Sequence, residues 1–471
     1  MMPVLLWTDA LVYLLLVVAI LFGIHAARHE HLRTPWRRVI RSRIGVATLV
    51  VLAGYASVGL LDTVHFRLQV EHPGADSSYG PEVLSLLDLA LSGLRERQEV
   101  TYSAPFATHL YVKEAIEQPD GGVVRAYPRL QHGGAHLADP EADRAGDILA
   151  RALLGSIKGL LVWAGVSALA LWLSGRRRGE SRRETRRETW NRWRAPGLGI
   201  PWITGLSVLG GLLVVSFAAA ELAAAYHILG TDKVGEDVFY QTLKSVRTGL
   251  LIGTLTTLVM LPAAILLGIS AGYFRGWVDD LIQYLYTTLN SIPGVLLIAA
   301  AILMLQVYMS NHAESFSSLV ERADLRLLFL CLILGVTSWT GLCRLLRGES
   351  LKLREADYVQ AAQALGVGHF TLIVRHILPN LMHIVIITLV LDFSGLVLAE
   401  AVLSYVNIGV DPTMNSWGNM INGARLELAR DPIVWWSLAA AFLFMFVLVL
   451  AANLFADVVR DAFDPRIRTG R

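Results

Sequence analysis

Long apolar runs dominate the pattern of hydrophobic and polar positions along the chain. Nine of them alternate with more polar stretches, near 4–24, 44–61, 153–174, 201–226, 246–271, 281–305, 327–346, 381–403 and 433–455. A run of about 20 apolar residues is long enough to cross the hydrocarbon core of a bilayer as a helix. The pattern therefore predicts an all-α polytopic membrane protein with about nine transmembrane helices.

Arginine clusters at the ends of these runs predict the sidedness of the spans. Arg28, Arg33, Arg37 and Arg38 follow the first run, and no basic residue precedes it, which is the order expected when the basic end is cytoplasmic. Alternation from there places the Arg-rich stretch 175–194, 347–380 and the tail 460–471 inside, and 62–152, 227–245, 306–326 and 404–432 outside. We therefore expect an external N-terminus and a cytoplasmic C-terminus.

One long polar segment, 62–152, separates the second run from the third. Its residues 81–100 form an amphipathic helix candidate, and a Gly-, Pro- and His-rich stretch follows. His132 and His136 have the i, i+4 spacing of a metal pair, but the two glycines between them disfavour a helix. We interpret the segment as an external loop or small domain with solvated histidines, and a metal site is the less favoured alternative.

Composition and charge exclude several classes of protein. The chain has 471 residues, of which 54% are hydrophobic and 17% charged, whereas a soluble domain carries about 25% charged residues. The net charge is +2, so no strong field indicates a nucleic-acid partner. Cys331 and Cys343 lie twelve residues apart in one apolar run, too far along a helix for a disulfide, and we expect them to pack in the core.

A polar stretch between two apolar runs, "QAAQALGVGHFTLIVRHILPN" (360–380), is the most informative part of the sequence. Its alanines and glutamines predict a helix up to Gly366, because glycine can adopt the left-handed cap conformation. Phe370, Ile373, Val374 and Ile377 then recur at helical spacing as one apolar stripe. Pro379 is expected to stop this second helix. Such a stiff element could dock in a groove of another protein or rest on lipid, and spacing alone does not decide between the two.

No motif of catalysis stands in the sequence. A Walker A loop needs Gly-Lys-Ser/Thr to hold phosphates, and no lysine follows a glycine: Lys113, Lys158, Lys233, Lys244 and Lys352 are preceded by Val, Ile, Asp, Leu and Leu. The serine of "NSWGN" (415–419) is interpreted as a turn residue. The chain therefore cannot be a P-loop ATPase itself.

Residues 360–379 resemble the cytoplasmic loop signature of ATP-binding-cassette (ABC) importer permeases. Ala361, Ala362, Gly366, Leu378 and Pro379 stand in register with that signature, and Gln360 replaces its usual Glu. The "RHILPN" ending, with His376, is similar to that of the dipeptide/oligopeptide subfamily. Further fragments occur in the family's order, namely "HILGTDKVGEDVF" (227–239), "AGYFRGWVDD" (271–280), "AEAVLSYVNIGV" (399–410), "NSWGNMI" (415–421) and "RDAFDPR" (460–466). The resemblance covers about 201–468 and is closest to the C-type subunit of binding-protein-dependent peptide importers.

The resemblance implies a function, a fold and a set of partners. The chain would be a permease that translocates peptides by alternating access, with its last six spans forming a type I importer core. It would pair with a second homologous permease, and two cytoplasmic ATPase subunits would dock on the 347–380 loops. An external solute-binding protein would deliver the cargo. ATP would be used by the partners, and no cofactor or metal would be bound by this chain.

The resemblance also divides the chain. The expected regions are the added spans 1–61, the external segment 62–152, the third span with an Arg-rich linker over 153–200, and the permease domain 201–471. Nickel, opines or sugars remain possible cargoes, because relatives that carry them share these motifs.

Three carboxylates in or near apolar runs keep a rival hypothesis open. A charge at the centre of a span costs about 2.5–3.5 kcal/mol on insertion scales. Asp392 either lines the solute path or bonds to Ser394 or a neighbouring helix, while Glu400 is a second candidate for the path and Glu221 is expected at the membrane interface. A proton-driven transporter with Asp392 as its proton site is the first alternative. A scaffold or sensor built on 62–152 is the second.

Overall fold

The computed structural model describes residues 2–70, 78–80, 82–117, 123–176, 201–312, 314 and 318–463. The expectations for 177–200 and for the tail beyond 463 therefore lie outside the described residues. The helices run over Trp7–Arg28 (α1), Glu30–Arg41 (α2), Arg43–Asp62 (α3), Leu86–Ala90 (α4), Ser92–Arg95 (α5), Pro140–Arg176 (α6), Trp202–Ala223 (α7), Val238–Phe274 (α8), Trp277–Ser291 (α9), Gly294–Asn311 (α10), Leu319–Arg354 (α11), Asp357–Ala364 (α12), His369–Leu372 (α13), Leu378–Tyr405 (α14), Trp417–Glu427 (α15) and Trp436–Phe463 (α16).

Nine helices within these residues are long and apolar enough to cross a membrane. They are α1, α3, α6, α7, α8, α10, α11, the continuous helical stretch His369–Tyr405 and α16. The predicted number and the multi-pass, mainly helical architecture are thereby confirmed.

The sixth run differs from its predicted bounds. A single span over 281–305 was expected, but α9 ends at Ser291 and α10 begins at Gly294. The break falls at Pro293, which has no amide to donate, and the preceding Ile292 is extended (φ −89°, ψ 128°), as residues before proline usually are. The spanning helix is therefore α10, and α9 is an amphipathic helix that leads into it.

The centre of the molecule is the pair α8 and α11. A Cβ added at Gly272 would lie 2.5 Å from the Cβ of Ser350, and one added at Gly268 would lie 2.8 Å from the carbonyl oxygen of Cys343. The two helices therefore approach closely along a glycine stripe with a four-residue repeat, which favours helix association in membranes. Cys331 and Cys343 are free and buried, which confirms their predicted packing role. Helices α14 and α16 pack around this pair.

A second close helix pair joins α6, the third and last of the added spans, to α7, the first span of the predicted permease domain. Helices α6 and α7 close on Gly155 and Gly159, where an added Cβ would lie 2.6 Å from Ala218 Cα and 2.7 Å from Val214 Cα. Helix α3 lies between this pair and the core, because it packs against α7 on one side and against α8 and α16 on the other. Helix α1 packs directly on α11 and α8.

The external segment and the first residues of the chain form short strands that the sequence did not predict. Met2–Val4 (β1), His65–Arg67 (β2) and Leu84–Ser85 (β5) form an antiparallel sheet in the order β1-β2-β5. Two small ladders join Gln69–Val70 (β3) to Ser78–Tyr79 (β4), and Glu114–Glu117 (β6) to Val123–Ala126 (β7).

The amphipathic helix predicted over 81–100 is wrong. Leu84–Ser85 joins the sheet, and Ser85 and Asp88 form a reciprocal capping box that starts α4 only at Leu86. Leu91 then leaves the helical conformation (φ −107°, ψ 20°) and separates α4 from α5. The helix therefore begins at Leu86, directly after the Ser85 cap, and not at residue 81.

Candidate functional site: a rigid segment between two spanning helices

The predicted glycine cap of the 360–380 segment is present. Gly366 follows α12 with φ +81°, and its amide donates to the Gln363 carbonyl over 3.0 Å. The amide of Val367 donates to the Ala362 carbonyl over 3.1 Å. These two bonds form a Schellman motif, which satisfies the last carbonyls of the helix. The turn that ends α12 is therefore fixed by backbone hydrogen bonds, and glycine is required at its left-handed position.

Pro379 does not stop the second helix, contrary to the sequence prediction. Residues Ile373–Ile377 form one wide π turn, in which the amide of Leu378 donates to the Ile373 carbonyl five residues earlier. Pro379 then lies in the first turn of α14, where its fixed φ is compatible with helical structure. The wide turn absorbs the proline, so helical structure continues from His369 to Tyr405. The segment therefore continues into the spanning helix without a break in helical structure.

The predicted apolar stripe is only partly correct, because the π turn shifts the register of the residues on either side. The side chains that pack on the core are Val359, Leu372 and Ile377, each 0% exposed. Phe370 and Val374, which were expected on the same stripe as Ile377, are 79% and 44% exposed.

The tip of the segment presents apolar and small residues to solvent. Leu365 is 85% exposed and Tyr358 is 45% exposed, and Gln360 and Ala361 are exposed beside them. Ala362 is half-buried against the core. We call the exposed surface formed by Tyr358, Gln360, Ala361 and Leu365 the tip surface. An apolar surface of this kind is typical of a contact with another protein.

Polar contacts fasten the segment to the ends of α8 and α11. The hydroxyl of Tyr273 lies 2.7 Å from Nδ1 of His369, and Arg354 donates to the Tyr273 carbonyl over 2.8 Å. Arg275 pairs with Glu355 over 2.7 Å. The amide group of Gln360, where the family signature has Glu, donates to the Glu355 carboxylate over 3.3 Å.

His376 and Pro379 lie at the start of the following span. Asn380 donates to the His376 carbonyl over 2.7 Å and to the Tyr358 hydroxyl over 3.1 Å. This amide therefore ties α12 to the turn before α14. Together with the buried side chains of Val359, Leu372 and Ile377, these bonds make the 357–380 segment a rigid connection between two spanning helices.

The structure separates the two carboxylates predicted for the solute path. Glu400 is 1% exposed and accepts a hydrogen bond from Ser404 over 2.7 Å, at the contact of α14 with α15. Asp392 is half-buried. Ser394 does not bond to it, because its hydroxyl donates to Asn453 Oδ1 over 2.7 Å. Glu221, expected at the membrane interface, pairs with Lys158 of the neighbouring α6.

The external element 227–239 is built around a buried histidine. Nδ1 of His227 lies 2.7 Å from Asp237, and its Nε2 lies 3.4 Å from Glu99 of the external segment. Burial lowers the pKa of His227, but the two carboxylates outweigh burial and raise it to about 9. Burial raises the pKa of Glu99, but its interaction with His227 and hydrogen bonds from three backbone amides outweigh burial and lower that pKa to about 2. The histidine is therefore a cation held between two carboxylates.

The external segment also packs against the turn at Gly235 in the 227–239 element. A Cβ at Gly235 (φ +78°) would lie 1.8 Å from the Glu99 carbonyl oxygen, so only glycine fits there. Glu99 accepts hydrogen bonds from the amides of Gln131, His132 and Gly133 over 2.8 to 3.2 Å. His136 pairs with Asp147 over 2.8 Å, and residues 132–136 form turns, not a helix.

A buried ionic cluster, which the sequence reasoning missed, joins the added spans to the core. Arg247 of α8 donates to Asp9 of α1 over 2.7 Å and lies 3.8 Å from Asp324 of α11. Lys244, one turn away, pairs with Asp62 over 2.6 Å and with Asp88 over 2.9 Å. In the sequence, Asp9 and Arg247 are opposite charges near the ends of two apolar runs, 238 residues apart. No local pattern connects the two positions.

The serine of "NSWGN" has a structural role. Ser416 accepts a hydrogen bond from the Asn419 amide over 3.0 Å and caps α15. Trp417, 1% exposed, donates to the Thr242 carbonyl over 3.2 Å. The interpretation of Ser416 as a turn residue agrees with this geometry.

Comparison with known proteins assigns the fold to a family. Residues 264–469 match the family described as "Binding-protein-dependent transport system inner membrane component". The chain is 30% identical over 251 residues to the glutathione transport system permease protein GsiD of Pectobacterium atrosepticum, covering 53% of this chain and 76% of the relative. It is 32% identical over 245 residues to the oligopeptide transport system permease protein OppC of Mycobacterium bovis, covering 52% and 78%. OppC of Haemophilus influenzae is 29% identical over 252 residues, covering 53% and 74%.

The class defined by this fold is that of multi-pass permeases of the type I ABC importer architecture. The chain belongs to the family of binding-protein-dependent transport system inner membrane components. The predicted resemblance to the dipeptide/oligopeptide branch of these permeases is confirmed.

Proposed function

We propose that this chain is the membrane-spanning permease subunit of an ATP-driven importer that carries peptides. The relatives named for glutathione and oligopeptides support a peptide as cargo. The observation that carries the mechanism is the stiff segment 357–380, whose tip surface is exposed while its buried residues Val359, Leu372 and Ile377 fix it to the core. One of two separate ATPase subunits would dock on this tip surface and the other on a second homologous permease that completes the pathway, and an external solute-binding protein would deliver the cargo.

The rigidity of the segment supports alternating access as the mechanism. Shifting a two-state equilibrium from 1:99 to 99:1 takes about 5.5 kcal/mol of differential binding energy. Energy released by closure of the ATPases reaches the spans only if the connecting element does not bend. The Schellman turn at Gly366 and the unbroken helical path through Pro379 provide that connection.

Sidedness follows from the same proposal. The 357–380 segment and the C-terminus would be cytoplasmic, and the N-terminus and 62–152 periplasmic. The pairing of β1 with β2 supports a common side for the N-terminus and the external segment.

The proposal is tested by separating uptake from ATP hydrolysis. Gly366→Pro forces φ away from +81° and removes an amide donor, and Ala361→Arg places a charge on the tip surface. We expect both variants to reach the membrane at normal levels, with uptake of a labelled tripeptide reduced more than tenfold. ATP hydrolysis in the isolated complex should no longer respond to peptide.

Ala145→Arg is the matched control, because Ala145 is exposed on α6, away from the tip surface. It should leave uptake unchanged. Normal uptake by Gly366→Pro and Ala361→Arg would contradict the docking role. Competition by unlabelled nickel, opines or sugars in place of peptides would redirect the cargo assignment.

Asp392 is proposed to line the path of the cargo, because it is half-buried on α14 and its neighbour Ser394 bonds elsewhere. Asp392→Asn should weaken uptake of peptides with a free amino terminus more than uptake of N-acetylated peptides. Uptake that survives ATP depletion but stops when the proton gradient collapses would favour the proton-driven alternative instead.

A further inference from the structure

The C-terminal end of α1 and the 370–382 stretch enclose a groove of about 850 Å³ at the edge of the membrane. Phe22 lines the α1 side, and Val374, Leu378 and Met382 line the other side. The groove lies at a membrane edge because α1 ends at Arg28 and the span His369–Tyr405 begins beside it. Its apolar walls are therefore at the depth where acyl chains meet headgroups.

Arg375 places a guanidinium cation at the rim of this groove. His25 and His29 of α1 complete the rim as a stacked pair with ring centroids 4.0 Å apart. Beyond the rim, the stretch 28–43 carries six arginines and a single acid, Glu30. All six arginines have exposed side chains: Arg28, Arg33, Arg37, Arg38, Arg41 and Arg43. Basic residues beside an apolar helix end attract anionic headgroups.

The outward face of α1 indicates the kind of occupant. Ile20, Leu21 and Ile24, just before the groove, are 62%, 59% and 47% exposed, so lipid has direct access along this helix. An occupant with an apolar body and an anionic head would satisfy both the walls and the rim. We propose that the groove binds one anionic phospholipid, with an acyl chain against Phe22, Leu378 and Met382 and its phosphate at Arg375.

This site joins the added α1 to the segment that carries the tip surface. The bound lipid would fill the space between α1 and the 357–380 segment, and so complete the packing of that segment on its outer side. The inference does not depend on the cargo or on the ATPase partners, because it concerns binding to the purified chain alone.

Native mass spectrometry of the purified full chain, titrated with phosphatidylglycerol or phosphatidylcholine of the same acyl composition, tests the proposal. We expect at least fivefold stronger retention of phosphatidylglycerol, and inorganic phosphate should not compete with it. Arg375→Gln should abolish the preference. Arg41→Gln is the matched control, because Arg41 lies in the same basic stretch but does not line the groove, and it should keep the preference.

Thr371→Trp provides a second, independent variant. Thr371 is exposed and lines the groove, so the indole should narrow the groove and lower retention of both lipids several-fold. Equal retention of the two lipids by the unaltered chain would overturn the proposal, as would an equal loss in Arg41→Gln and Arg375→Gln. Retention unchanged by Thr371→Trp would show that the lipid binds elsewhere.

Discussion

The α6–α7 pair and the α8–α11 pair each pack closely through two glycines, and the two pairs differ in the helices that surround them. Both have glycines four residues apart, Gly155 with Gly159 and Gly268 with Gly272, with neighbouring atoms 2.5 to 2.8 Å from the missing Cβ. The apolar windows of α8 and α11 are 44% and 56% buried, whereas those of α6 and α7 are 11% and 6% buried. A glycine contact therefore brings two helices together in either region, but further layers of helices make the α8–α11 pair a core.

The α8–α11 pair should respond most strongly to Arg247→Met, because this side chain joins α8 to α1 and α11. The change leaves Asp9 and Asp324, 0% and 2% exposed, without the cation they share, and removing one partner of a buried ion pair costs about 3–5 kcal/mol. We expect a large fall in the unfolding midpoint in detergent. Arg425→Met, at an exposed arginine of α15, should have little effect, and similar midpoints for the two variants would refute the role of the ionic cluster.

Matched glycine substitutions compare the two helix pairs directly. Gly272→Val should destabilise the protein by about 1–3 kcal/mol or more, because α8 and α11 cannot move apart inside the core. Gly159→Val should separate α6 from α7 and leave the core unfolding midpoint nearly unchanged. Disulfide crosslinking between cysteines introduced in α6 and α7 would report that separation.

Gly341→Val and Gly165→Val are the controls, since nothing lies within 4 Å of a Cβ at either position. An equal fall in stability for Gly272→Val and Gly159→Val would mean that the two regions are equally constrained.

The contact between the external segment and the core should depend on pH. The raised pKa of His227, about 9, contributes stability that is complete below pH 6.5 and is lost as the pH rises through 9. The lowered pKa of Glu99, about 2, contributes stability that is present above pH 4.5 and is lost as the pH falls through 2. We expect the unfolding midpoint to fall by a few degrees between pH 7 and pH 9.5. His227→Gln should remove that alkaline change, and an unchanged alkaline profile would contradict the ion-pair arrangement.

Helix caps give the smallest effects. Ser416→Ala removes a 3.0 Å cap of α15, and Ser42→Ala removes a 3.3 Å cap of α3. The first should cost about 1 kcal/mol and the second less, since the longer bond is weaker. Denaturant unfolding of both variants would measure the difference, and a larger loss in Ser42→Ala would reverse the expected order.

The sequence was most informative where local chemistry decides the structure. The spans follow from apolar length, and the cap at Gly366 follows from a helix-forming stretch that ends in glycine. Pro379 was misread because its tolerance depends on the π turn at Ile373–Ile377, which the packing of Leu372 and Ile377 on the core holds in place. Proline chemistry alone indicates a stop, and only the surrounding structure reverses that indication.

Contacts between distant parts of the chain were beyond the reach of pattern reasoning. The pairing of Asp9 with Arg247 and of Glu99 with His227 joins residues more than a hundred positions apart. Each residue alone resembles a charge at a membrane edge. The site was therefore predictable in its backbone framework, and its attachment to the added spans was not.

The ionic cluster also bears on how far this transporter subunit can be dissected. Lys244 and Arg247 lie on α8 of the permease core, yet Asp9, Asp62 and Asp88, which neutralise them, all precede residue 201. A chain shortened to the six-span core would leave Lys244 without Asp62 and Asp88, and Arg247 without Asp9, while Asp324 would stay 3.8 Å from Arg247. Grafting these spans onto another permease, or removing them from this one, would therefore require compensating changes at positions 244 and 247.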